Sequence, residues 1–74
     1  MSKPMRFRDF KRKMQKLGII VKQASKATHF KLSRESGGTT LIYIVARDGS
    51  EIRGCYIDGA KRALEISDRE FDEA

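Results

Sequence analysis

One cysteine, Cys55, stands in the whole chain, so an internal disulfide is excluded. That fits a reducing compartment, and the cytoplasm is the expected setting. Cys55 reads as a small buried hydrophobe rather than a nucleophile, since only one histidine exists to activate it. No apolar run is long enough to cross a bilayer, which sets membrane proteins aside. Lys3, Arg6 and Arg8 charge the start of the chain with no apolar stretch behind them, unlike a secretory signal. The lone histidine, His29, cannot build a metal site by itself, and the basic half offers only Asp9 as a carboxylate. With no glycine-rich phosphate loop and no Ser/His/Asp set either, neither metal nor cofactor is expected. The 74 residues make one domain, 1–74, whose modest core leaves any chemistry to a surface or shallow groove.

What the chain has in quantity is positive charge, unevenly placed. Residues 1–34 hold eleven Lys and Arg against Asp9 alone, whereas residues 35–74 hold five basic and nine acidic residues. The halves therefore carry +10 and −4 within a net charge of +6. A solvated surface normally mixes its signs, and a field of one sign attracts phosphates. Nucleic acid is the expected partner, ahead of an anionic membrane, an acidic protein or a merely solubilising face.

Phe7, Phe10, Met14 and Leu17 recur at the spacing of an amphipathic helix that begins near Pro4 and stops at Gly18. Its outer face is Arg8, Lys11, Arg12, Lys13 and Lys16, of which Arg12 and Lys16 are candidate RNA contacts. Three strands follow, Ile19 to Ala24, Thr28 to Arg34 and Thr39 to Ala46, with Glu35-Ser36-Gly37-Gly38 as a hairpin loop. Ile57, Ala60 and Leu64 then share a helical face, and Ser67 three residues before Glu70 has the form of a capping box leading a short last turn with Phe71. Hairpin-length connections make the sheet antiparallel. The expected fold class is α+β, a two-layer α-β-β-β-α domain with a three-stranded sheet and its helices on one face.

Period two places Ile19, Val21, Phe30, Leu32, Ile42 and Ile44 on the covered face. Ile20, Lys22, His29, Lys31, Leu41, Tyr43 and Val45 then occupy the open one. On that assignment Ile20, Leu41, Tyr43 and Val45 form an exposed apolar strip suited to a protein partner, with Tyr43 as its anchor.

Metal-free acid–base chemistry centred on His29 is the enzyme reading that survives. Histidine titrates near neutrality, and RNA carries its own nucleophile, the 2′-OH beside each phosphate. Lys22, Lys26 and Lys31 could hold the developing phosphorane charge, with Tyr43 as a weak second acid. Two other readings stand beside it. One is a non-catalytic RNA-binding module in which His29 is only a contact, and the other a protein-interaction module using the apolar strip.

The run Lys26-Ala27-Thr28-His29-Phe30-Lys31-Leu32, after a helix ending in Leu17-Gly18, resembles the HicA family of small toxins. So does the closing stretch Tyr56-Ile57-Asp58-Gly59-Ala60-Lys61-Arg62-Ala63-Leu64-Glu65-Ile66-Ser67-Asp68-Arg69-Glu70-Phe71. The resemblance covers nearly the whole chain. It implies a double-stranded-RNA-binding-domain-like (dsRBD-like) fold and an mRNA-cleaving endoribonuclease (mRNA interferase) that uses a single histidine at the start of the second strand, here His29. It also implies a toxin–antitoxin system, with a HicB-type antitoxin as the neutralising partner.

Overall fold

The apolar repeat near the N-terminus becomes helix α1 (Phe7–Lys16), which buries Phe7, Phe10 and Met14 in a computed structural model describing residues 2–74. The helix opens later than Pro4 because Met5–Arg6 form a short strand, β1, and the Phe7 N–H donates to the Ser50 carbonyl at 2.8 Å. At the other end Ile19 N–H donates to Met14 O and Gly18 N–H to Gln15 O, the paired bonds of a Schellman stop. Gly18 sits there at φ 79°, a left-handed conformation that glycine adopts without steric cost.

Strands β2 (Ile20–Gln23), β3 (His29–Ser36) and β4 (Thr39–Asp48) form an antiparallel meander. Strand β5 (Glu51–Ile52) pairs with β4 on one side and β1 on the other, giving one sheet in the order β1-β5-β4-β3-β2. The expected three strands are thus five. The two additions are two residues long, too short to show any periodicity in sequence. They close the N-terminal segment against the end of β4, where Ile52 is fully buried.

Helix α2 (Gly54–Ala63) and helix α3 (Asp68–Glu73) lie with α1 over one sheet face. Between them is a core of Phe7, Phe10, Met14, Ile19, Leu32, Val45, Ile52, Ile57, Ala60, Leu64, Ile66 and Phe71. Gly59 lets α2 approach this closely, because a Cβ there would collide with the Tyr43 hydroxyl. Arg34 reaches from β3 to the carbonyls of Leu64 (3.0 Å) and Glu65 (3.2 Å), closing the C-terminus of α2. Lys13 Nζ donates to the carbonyls of Phe71 and Ala74, and Lys13 and Lys61 each stand 5.0 Å from the Phe71 ring. Part of the cationic surplus is therefore structural. No helix among the described residues is long and apolar enough to cross a membrane.

The covered face of β4 is Leu41, Tyr43 and Val45, the reverse of the sequence assignment. Val45 is fully buried and Leu41 and Tyr43 pack on the core, while Ile42 and Ile44 are each 50% exposed. The hairpin fixes this phase. Gly37 and Gly38 make a two-residue turn that pairs Ser36 with Thr39, so Leu32 meets Tyr43 and Phe30 meets Val45. Directly opposed residues share a face, and an even-length turn sets even positions of β3 beside odd positions of β4. Cys55 also departs from expectation: it is exposed, in the first turn of α2.

The capping box is present in full. Glu70 N–H donates to Ser67 Oγ at 3.0 Å, and Ser67 N–H to Glu70 Oε1 at 3.1 Å. That backbone donor, with Arg34 beside it, holds the Glu70 carboxyl below its ordinary value of 4.5, against a smaller opposing effect of desolvation. A carboxylate lowered on folding contributes stability that is complete above its unfolded pKa and lost as pH falls through the folded one. Glu70→Gln should therefore be less stable at neutral pH, yet lose less than wild type on acidification below pH 4.5. Denaturant midpoints measured across pH check this, and parallel curves would contradict it.

Candidate functional site

The face of the sheet opposite the helices is bare, and the ladder registers order it into three rows. Ile20, Ser33 and Ile42 form the first and Lys22, Lys31 and Ile44 the second. In the third, His29 lies between Ala24, whose N–H donates to the His29 carbonyl at 2.8 Å, and Ala46, its partner on β4. Two alanines flanking an imidazole leave room above it that larger neighbours would fill. His29 is half-buried at the opening of β3, where its N–H donates to the Lys26 carbonyl at 3.0 Å across the β2–β3 turn. Thr28 Oγ1 lies 3.2 Å from His29 Nδ1. When that hydroxyl accepts from Nδ1–H, Nε2 keeps its lone pair for an outside proton.

Lys22 and Lys31 stand directly opposite one another one row away from His29, and both are exposed. Like charges facing across a ladder destabilise a sheet, by about 0.2–1 kcal/mol on the scale of cross-strand pairs. Among the described residues no carboxylate lies within ion-pairing distance of either lysine. Glu35, the acid further along the same face, accepts from the Thr40 hydroxyl at 2.6 Å. The pair is thus a local electrostatic cost with no internal compensation, the situation expected where an outside anion supplies it. Neutralising either lysine should leave the fold as stable as wild type or slightly more so. A drop in the denaturant midpoint of Lys31→Gln would show instead that the charge serves the fold.

Of the residues singled out from sequence, His29, Lys22, Lys31 and Ile20 share this open face, and Lys26 borders it on the turn. Arg12 and Lys16 do not join them. They line a groove with Met5, Asp9, Lys13 and Ala74 between α1 and the end of the chain, in the helical layer. Leu41, Tyr43 and Val45 are likewise removed, so Tyr43 is no second acid for His29 and no anchor for a partner there. The apolar groups on the histidine's face are Ile20, Ile42 and Ile44, the large hydrophobic residues left exposed, with Ile44 one row from His29 and the other two a row further. Sequence reading missed Ile42 and Ile44, and the Gly37-Gly38 turn was the signal that could have found them. It also missed Arg6, Arg8 and Arg47, which meet around one cavity at the start of α1.

Among the described residues no group of three His, Cys, Asp or Glu side chains is placed to hold a metal ion. In comparisons with family models, curated proteins and solved structures, nothing matches this chain.

Proposed function

We propose that the chain is a HicA-like endoribonuclease toxin that cleaves mRNA on its open sheet face, without metal or cofactor. The observation that carries this reading is the isolated His29, set between alanines and one row from an uncompensated lysine pair. The dsRBD-like arrangement comes from the resemblance, and what supports it here is an α+β domain with the histidine at the opening of β3.

In the reaction so read, His29 Nε2 takes the proton of an RNA 2′-OH as that oxygen forms a bond to the adjacent phosphorus. Lys22 and Lys31, with Lys26 at the rim, offset the charge gathering on the phosphorane. The bond to the 5′-oxygen then breaks, and that oxygen takes a proton from solvent at the open face. The products are a 2′,3′-cyclic phosphate and a free 5′-hydroxyl.

The 2′-OH requirement supplies the test. Purified protein in excess chelator should cut a single-stranded RNA and leave the all-deoxy strand of the same sequence intact. Affinity for that deoxy strand should fall steeply with salt, and the Lys22→Gln/Lys31→Gln double variant should lower the log–log slope by about 1.4, at 0.7 per phosphate contact on a single strand. Cutting of the deoxy strand, or activity lost in chelator, would overturn the mechanism.

Ile20, Ile42 and Ile44 support the second half of the proposal. Large apolar groups left open on the same sheet face as the histidine favour a protein partner that covers both. An antitoxin of HicB type seated on this face would block the imidazole sterically. RNA binding without cleavage would instead identify a non-catalytic dsRBD-like module.

A further inference from the structure

At the end of the sheet nearest His29, Arg6, Arg8 and Arg47 line a cavity of about 320 Å³ together with Phe7 and Ser50. Three arginines lining one hollow concentrate positive charge at that end of the sheet, which a bound anion would offset. Arg6 and Arg47 have no carboxylate within ion-pairing distance among the described residues, although Glu51 is the ladder partner of Arg6. Arg8 has only Asp9, at 3.8 Å and largely in solvent, and Asp9 lines a different groove. The start of α1 borders the same hollow. Of the free N–H groups in that first turn, the one on Phe7 is already taken by Ser50, while the next ones add positive potential. Arg47 is also positioned from below, its guanidinium standing 5.9 Å from the Phe30 ring centroid.

The hollow adjoins the histidine through the backbone. Arg47 N–H donates at 2.9 Å to the carbonyl of Thr28, the residue before His29. His29 projects onto the open face, and Arg47 projects to the helical side over Phe30. A nucleic-acid strand lying over the imidazole and passing round the start of β3 would bring a neighbouring phosphate to the arginines. Guanidinium forks suit phosphate oxygens in a way that surface lysines do not.

We propose that the Arg6/Arg8/Arg47 hollow is a phosphate subsite that holds the RNA strand next to the phosphate cleaved at His29. It deepens the RNA-cleaving reading and rests on it for the identity of the strand. The phosphate could be internal to the strand or a 5′-terminal monoester.

Amide NMR of the full chain, titrated first with inorganic phosphate and then with uncleavable deoxy oligonucleotides bearing a 5′-phosphate or a 5′-hydroxyl, tests it. Phosphate should shift the amides of Arg8, Arg47 and Ser50, and Arg6→Gln/Arg47→Gln should abolish those shifts. The same variant should bind the oligonucleotides about tenfold more weakly, the loss expected for charge-assisted hydrogen bonds. Weakening confined to the 5′-phosphorylated strand identifies a terminal phosphate, and equal weakening of both an internal one. Phosphate shifts that avoid these amides, or oligonucleotide affinity unchanged in the double variant, would overturn the subsite. If the wild type cuts no RNA while the shifts and the affinity loss persist, the cleavage reading fails and the phosphate subsite stands.

Discussion

His29→Ala should reduce RNA cleavage by at least about a hundredfold, the lower range for loss of a positioned proton-transfer group. In a bacterium, growth arrest on expression should disappear with it. The substitution should leave the fold alone, because the imidazole lies on the bare face and its one side-chain hydrogen bond is to the adjacent Thr28 hydroxyl. A stability change within about 0.5 kcal/mol is the expectation for such a site. Cleavage rates of purified wild type and variant on one RNA, with matched denaturation curves, decide the matter. A variant that retains a tenth or more of the activity would demote His29 to a contact residue, and the RNA-binding module would become the better reading.

The second large effect belongs to stability and turns on the phase of β4. Val45→Asp places a carboxylate where the side chain has no solvent exposure, against Phe30 on the ladder and within the apolar core. Such a change costs more than about 4 kcal/mol. A domain of this size has only a few more in total, at about 0.05–0.15 kcal/mol per residue, so the variant should be largely unfolded. Ile44→Asp, one residue away, should stay folded. Its new carboxylate would face Lys31 across the ladder and relieve the repulsion with Lys22. If an antitoxin covers this face, Ile44→Asp should also weaken that complex by more than about 1 kcal/mol. Circular dichroism melts of the two variants suffice for the first comparison, and equal destabilisation would contradict the register.

Much of this architecture is legible in the sequence. The stripe of α1, its Gly18 stop, the apolar face of α2 and the Ser67–Glu70 box are written in side-chain spacing and cap chemistry, which act locally. The placement of His29 was legible for the same reason, since it alternates with Phe30 and Leu32, and Leu32 is fully buried. Strand β4 was not. Leu41 to Val45 is an unbroken apolar run, so alternation gives no phase, and only the length of the Gly37-Gly38 turn assigns a face to each residue. The arginine hollow was illegible for a different reason. Arg6 and Arg8 meet Arg47 only through the pairing of β1 with β5, two-residue strands with 44 positions between the end of one and the start of the other, Met5 and Glu51 partnering Ile52 and Arg6.

That same closure has a consequence in time. Ser2 N–H is held by Asp58, Phe7 N–H by the carbonyl of Ser50, and Lys13 Nζ by the carbonyls of Phe71 and Ala74. During synthesis the N-terminus leaves the ribosome first, carrying the apolar stripe of Phe7, Phe10 and Met14. Nothing can cover Phe10 fully until Phe71, its ring neighbour at 6.3 Å, has been made. Contacts this distant along the chain form late and slow the search for the native state. The nascent chain therefore carries an uncovered helix until Phe71 has been made, and the domain closes only then.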